Sequence, residues 1–158
     1  MIDAIFRDMT ERDTHRIAAL EKLCFRTPWT EASIRGELHN RLAHYQVAEY
    51  QKEIVAYAGM WVFLGEAHIT NVAVAPEYRR QGLGRAIMLH MMRTALSYKA
   101  NAMTLEVRET NLAAQALYFA LGFTKAGARK GYYSDTGEAA WILWNTDLAA
   151  TIDTQPAE

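Results

Sequence analysis

Only one cysteine, Cys24, occurs among the 158 residues. With no second thiol there is no internal disulfide, and a cysteine-built zinc site is not expected. No metal is expected at all. An excess of charge of one sign is also missing: 17 Lys and Arg against 18 Asp and Glu leave a formal net charge of −1. Such a chain has no general attraction for nucleic acid or an anionic membrane surface, and neither is expected as a partner. No uninterrupted apolar run is long enough to span a bilayer, and the opening MIDAIFRDMTERD carries acids where a signal peptide has its apolar core. The expected compartment is the cytoplasm. Repeats and low-complexity linkers are lacking too, so the length reads as one domain, residues 1–147, followed by residues 148–158 (LAATIDTQPAE) as a flexible C-terminal tail.

What is present is patterned for an α/β domain. Ala4–Arg7 reads as a first strand. Thr10 then opens a helix, with Asp13 returning a capping-box contact and Ile17, Leu20 and Cys24 at helical spacing. Thr30 is the expected N-cap of a second helix, along which Ile34, Leu38 and Leu42 step by four. Three strands follow as an antiparallel meander: AHYQVAEY, IVAYAGMWVF and AHITNVAV, separated by polar turns. In the third, the apolar residues move from odd numbers (Ile69) to even ones (Val72, Val74). Either a β-bulge or burial on both faces would explain that slip. A helix then runs from Leu83 to about Tyr98. The strand AMTLEV has Met103, Leu105 and Val107 on one face and Thr104, Glu106 and Arg108 on the other. A short helix from about Asn111 to Leu121 ends at Gly122, and FTKAGARKGYY and AAWILWNT supply two last strands. The expected fold is α/β, a central mixed and mostly antiparallel sheet flanked by helices.

The segment VAPEYRRQGLGRAIM joins a strand to a helix through a loop with Gly82 and Gly84. Backbone amides at such a junction converge on an anion, and glycine lets a phosphate approach closely. A Walker loop would need Lys and then Ser or Thr after the glycine, where Arg85 and Ala86 stand. A dinucleotide fingerprint would need a third glycine where Ile87 stands. The remaining pattern, Arg79-x-x-Gly82-x-Gly84 below Val72-Ala73-Val74, resembles the acetyl-CoA signature of the GNAT acyltransferase superfamily. The resemblance implies that Arg79, Arg80, Gln81, Gly82, Leu83, Gly84 and Arg85 hold the pyrophosphate of coenzyme A, with Val72, Ala73 and Val74 along its pantetheine arm.

TLEVRETNLAAQALYFALGF, Thr104 to Phe123, extends the resemblance to the bacterial ribosomal-protein-alanine N-acetyltransferases of that superfamily. By that resemblance Glu106 is the general base, Asn111 contacts coenzyme A and Tyr118 is the general acid. The implied reaction moves acetyl from acetyl-CoA to the N-terminal amine of a protein, most readily the N-terminal alanine of a small-subunit ribosomal protein. Acyl transfer needs a neutral amine and a proton for the departing thiolate. An α-amine titrates roughly 2.5 units below lysine, which suits a carboxylate base better, and a phenol near pKa 10 is protonated at neutral pH.

On the acceptor side, Trp29 in Pro28-Trp29-Thr30 and the pair Tyr132 and Tyr133 are candidates to flank an extended peptide. Relatives commonly carry Asn-Tyr-Tyr and Glu-Asp-Ala here, whereas this chain has Gly131-Tyr-Tyr and Glu138-Ala-Ala, so the acceptor is less defined than the acyl donor. His68 reads as a strand-surface residue rather than a second base. A lysine side chain or small amine as acceptor, or a noncatalytic acyl-CoA sensor, are the competing readings.

Overall fold

The computed structural model describes residues 2–155. Seven strands are hydrogen-bonded in the order β1-β2-β3-β4-β5-β7-β6: β1 Ile5–Asp8, β2 Ala43–Tyr50, β3 Glu53–Phe63, β4 Glu66–Val74, β5 Ala102–Arg108, β6 Thr124–Arg129 and β7 Ala140–Asn145. Of these, β1 and β2, β2 and β3, β5 and β7, and β6 and β7 pair antiparallel, and β4 runs parallel to β5. The helices are α1 Thr14–Cys24, α2 Glu31–Glu37, α3 Leu83–Ser97, α4 Leu112–Ala120 and α5 Leu148–Asp153. Among the described residues no helix is long and apolar enough to cross a membrane.

Residues up to Trp61 together with Thr70–Met91 form one compact unit; Val62–Ile69 with Met92 onward form another. In the first, Ile17 and Leu20 of α1, Ile34 of α2, Val47 of β2, Tyr57 of β3 and Ala73 of β4 make the core. The start of α1 is prepared by Asp13, whose carboxylate accepts the Thr10 amide at 2.7 Å and the Arg7 guanidinium at 2.8 and 2.9 Å. A 3-10 turn, Glu11–Asp13, precedes the α-helix itself, so the helix starts later than Thr10. Thr30 caps α2 as expected, its hydroxyl accepting the Ser33 amide at 3.1 Å. Beneath this surface the Glu21 carboxylate, 1% exposed, accepts the Tyr57 hydroxyl and, at 2.9 Å, the Trp29 amide.

The expected slip in β4 is corrected. Burial alternates without interruption, with Ala67, Ile69, Asn71 and Ala73 inward and Val72 and Val74 half-exposed. Neither a slip in facing nor burial on both faces is seen. The sequence misleads because an inward position holds a polar residue, Asn71, satisfied by the Tyr45 hydroxyl at 3.1 Å. Register irregularities are seen between β2 and β3 at Ala48/Glu49 and between β6 and β7 at Lys125/Gly127.

In the second unit the flexible tail is likewise corrected for residues 148–153, which form α5. Asp147 caps it by accepting the Ala150 amide at 3.1 Å, and Leu148 is fully buried. Asn145 Nδ2 donates to the Leu121 carbonyl at 2.9 Å and to Thr151 Oγ1 at 2.8 Å, tying α5 to the end of α4. Gly122 lies at φ +86, and a Cβ there would fall 2.8 Å from Thr151 Oγ1, so the stop after α4 requires glycine twice over. Residues 156–158 of the expected tail lie outside the described residues.

Candidate active site

Strand β5 alternates as its sequence predicts: Met103, Leu105 and Val107 are buried, and Thr104, Glu106 and Arg108 are half-exposed. The parallel register pairs His68 of β4 with Thr104. This puts His68 on the face of Glu106, one diagonal step away. His68 Nε2 lies 2.7 Å from Glu106 Oε2, with side-chain exposures of 41% and 17%. The hydrogen bond to the carboxylate lifts the imidazole above its ordinary pKa, against the opposing effects of burial and the Arg129 charge. His68 is thus a partner of the candidate base rather than a bystander on the strand surface.

Arg108, two residues along the same face, fastens the segment between β6 and β7. Its guanidinium meets Asp135 at 2.8 and 3.1 Å and Glu138 at 3.4 Å, and stacks 4.0 Å from the centre of the Tyr133 ring. Thr110 Oγ1 donates to Glu138 as well, at 2.5 Å. Tyr132 and Tyr133 therefore sit in an ordered loop, edge to face at 5.0 Å. Burial raises both phenols and the Glu106 charge adds to it; Tyr133 is pushed up to about 12 although Arg108 opposes the shift.

On α4, Tyr118 is buried and packs edge-on against Phe123 at 5.7 Å. Burial, with the neighbouring Tyr133, pushes its hydroxyl up to about 12. Tyr118 therefore keeps its proton across the neutral range. Glu106, Tyr132, Tyr133 and Tyr118 are linked in one electrostatic neighbourhood, Tyr133 responding to Glu106 and acting on Tyr118. Asn111 is the exposed N-cap of α4, accepting the Ala114 amide at 3.2 Å, while Tyr118 is turned inward. Glu106 and Tyr118 were legible as candidates from the sequence; Arg108, Asp135 and Glu138 were not. Their only sequence signal is the acid pair six and three residues before Trp141 of β7, which does not reveal its arginine partner.

The glycine loop belongs to the first unit. Arg79 turns back, its Nε donating to the Val74 carbonyl at 3.2 Å and its Nη2 lying 3.4 Å from Cys24 Sγ. Arg80 (φ +62) and Gly82 (φ +83) take left-handed backbone conformations, and Ala86 N closes the first helical turn on the Gly82 carbonyl at 3.0 Å. The amides of Leu83 and Gly84 lie in the first turn of the 15-residue α3, whose donors a helix leaves without an intrahelical acceptor. Leu83 buries its side chain, so it offers a ligand its amide alone. Such a row of donors at a helix N-terminus fits a pyrophosphate. Val72 and Val74 leave apolar edges half-exposed on β4, whereas Ala73 faces inward. Trp29 packs partly against the core and lines a cavity of about 700 Å³ with Pro28, Thr30, Ser33, Glu37 and His39.

The seven-stranded sheet, with a glycine loop opening α3, is the scaffold of an acyl-transferring enzyme. The chain belongs to the acetyltransferase (GNAT) family, whose model matches residues 14–123. The Escherichia coli (strain K12) protein named [ribosomal protein bS18]-alanine N-acetyltransferase is 38% identical over 117 residues, 74% of this chain and 78% of that one. A Bacillus subtilis (strain 168) protein that carries the same name provisionally is 39% identical over 144 residues, 90% of this chain and 95% of its own. The crystal structure of the E. coli ribosomal-protein-S18-alanine N-acetyltransferase superposes with a TM-score of 0.83 at 31% identity, covering 90% of this chain and 92% of that one.

Proposed function

We propose that this acetyltransferase acetylates the N-terminal alanine of a ribosomal protein of the bS18 class, in the cytoplasm, with residues 1–147 and the α5 helix that follows them acting as one catalytic domain. The acceptor rests on the named relatives at 38–39% identity. The mechanism rests on one observation, the half-exposed carboxylate of Glu106 on β5, 2.7 Å from His68 Nε2.

The loop amides of Gly82 to Arg85, with Arg79 bracing the loop and Arg80 and Gln81 at its surface, hold the pyrophosphate of acetyl-CoA; Val72, Ala73 and Val74 follow its arm, and Asn111 contacts it while capping α4. Acetyl-CoA supplies an activated acetyl thioester. Glu106 takes the proton that the acceptor ammonium must lose before it can attack. Tyr118, protonated at every physiological pH, donates to the departing sulfur. A thiolate holds its proton less tightly than such a phenol, so Tyr118 acts chiefly as a hydrogen-bond donor to developing negative charge. Trp29, Tyr132 and Tyr133 flank the acceptor peptide, the two tyrosines kept in place by Arg108.

Thiol release from acetyl-CoA, followed with an alanine-initiated bS18 peptide, free lysine and spermidine in parallel, tests the acceptor. The peptide should turn over and the other two should not. Turnover of lysine or spermidine alone would overturn the acceptor, and binding of acetyl-CoA with no turnover of any amine would leave a sensor instead of an enzyme. Tyr118→Phe should lower kcat by about tenfold to a hundredfold with the Kd for acetyl-CoA unchanged by calorimetry. An unchanged kcat would remove Tyr118 from the chemistry.

A further inference from the structure

Glu37, the last residue of α2, carries a charge that no cation answers among the described residues. Trp61 Nε1 donates to its Oε2 at 2.8 Å, and Asn40 Nδ2 lies 3.5 Å from the same oxygen. Oε1 makes no hydrogen bond among the described residues. Glu31, on the first turn of the same helix, is by contrast tied to Arg35 at 3.1 Å and to His15 at 3.3 Å. An indole N–H asks only for a neutral acceptor, so Trp61 accounts for one oxygen of Glu37 and not for its charge. Nor does the helix account for it: the last turn is where a cation, not a carboxylate, is stabilising.

The carboxylate lies in the wall of the cavity of about 700 Å³ that Trp29 also lines, and it is the one acidic group of that wall. Half-buried Pro28 and Trp29 supply apolar surface there, and Ser33 and Asn40 polar surface. Burial raises the nearby Tyr45 phenol, and the charges of Glu37 and Glu21 add to it. Tyr45 in turn donates to Asn71 Oδ1 at 3.1 Å and lies 3.2 Å from Thr70 Oγ1, both on β4. The negative potential of Glu37 is thus felt by the side chain that reaches the cofactor strand. On the reading of Trp29 as a flank of the acceptor peptide, we propose that this cavity is a subsite for the cationic side chain of an arginine or lysine that follows the acetylated residue, with Glu37 as the specificity-determining group.

Each part of the wall suits a part of such a side chain. Pro28 and Trp29 cover the methylene stem, and the Trp29 ring offers its face to the charge. Glu37 Oε1 accepts from the guanidinium or ammonium in a charge-assisted hydrogen bond. Trp61 already holds Oε2, so the carboxylate is fixed in advance and little side-chain freedom is lost on pairing. Arginine fits better than lysine, because its planar head can bond a carboxylate and stack on an indole at once. The acceptor class offers the matching chemistry: proteins that bind nucleic acid neutralise its phosphates with lysine and arginine, and a ribosomal protein is of that kind.

Alanine-initiated peptides of otherwise neutral sequence test this, each with arginine at the second, third or fourth residue, or glutamine in its place, compared by thiol release. With the wild-type enzyme at low salt, arginine at one of these positions should raise kcat/KM about tenfold through a lower KM, the scale of one charge-assisted hydrogen bond. The preference should shrink as ionic strength rises, because the pair is half-exposed. In Glu37→Gln, whose amide oxygen still accepts from Trp61, the preference should vanish while the Kd for acetyl-CoA and the melting temperature hold. A merely structural Glu37 would not couple its own substitution to one residue of the peptide. Equal kcat/KM for arginine and glutamine peptides at all three positions, or an arginine preference that survives Glu37→Gln, would overturn the subsite. These outcomes are separable from failure of the underlying reading. If spermidine or free lysine turned over and none of the peptides did, the acceptor itself would be wrong, and the subsite with it; if the peptides turned over without regard to arginine, only the subsite would fall.

Discussion

Glu106→Gln should lower kcat toward an alanine-initiated peptide by about 10²- to 10⁴-fold, the usual reach of a positioned general base. The change keeps the size and shape of the side chain and removes only its capacity to accept a proton. Its neighbours tolerate it: a glutamine oxygen still accepts from His68 Nε2, and the buried Leu105 and Val107 on the opposite face are untouched. The protein should therefore fold normally, with a melting temperature close to the wild type. The KM for acetyl-CoA should hold, because the loop amides that fit a pyrophosphate start at Gly82 and draw nothing from β5. The acid limb of the rate profile should move up to the pKa of the acceptor amine, about 8, since the residual reaction depends on amine that has already lost its proton to solvent. Stopped assays across pH 5.5 to 9 with thiol detection would measure all of this. A kcat within twofold of the wild type would place the base elsewhere.

The largest effect on stability should come from Glu21. Glu21→Ala strands the Tyr57 hydroxyl and the Trp29 amide in a region where Glu21 itself is 1% exposed. Each orphaned donor costs about 1–3 kcal/mol, so urea unfolding should show a loss of about 2–5 kcal/mol. Glu21→Gln should behave differently. Burial raises the Glu21 pKa, and the hydrogen bonds from Tyr57, Trp29 and Asn71 offset that only in part. The folded state then binds more protons than the unfolded state between the unfolded value near 4.5 and the raised folded value. Stability supplied by this group is present below that window and is lost as pH rises through it. Glu21→Gln should abolish that slope and leave the protein at least as stable as the wild type at neutral pH. Loss of several kcal/mol in Glu21→Gln at pH 7 would show that the charge itself is required.

The parts of the molecule that were legible in the sequence are those set by neighbours within a few positions. The meander strands, the Thr30 cap, the alternation of β5 and the glycine stop at Gly122 follow from local period, turn chemistry and capping, and Glu106 and Tyr118 came with recognisable motifs. What escaped depended on pairs distant in the chain. His68 and Glu106 are 38 residues apart and meet only because β4 and β5 run parallel in one particular register. The clasp of Arg108 on Asp135 spans 27 residues. Asn71 looked like a break in an apolar pattern because its partner, Tyr45, comes from another strand. The terminal helix was passed over because six residues carry too little periodicity to stand out, while the bond that anchors it, from Asn145 to Thr151, is invisible to composition.

That last anchor joins the margin of the chain to its chemistry. Asn145 bonds Thr151 of α5 and the Leu121 carbonyl at the end of α4, the helix that carries Tyr118. A deletion from residue 148 onward that looks harmless on the printed sequence would take away Leu148 from the interior and half of the clamp on that helix. Tyr118, proposed above to donate a hydrogen bond to the leaving sulfur, would then ride on a loosened support. Purification tags for this enzyme belong at the other end.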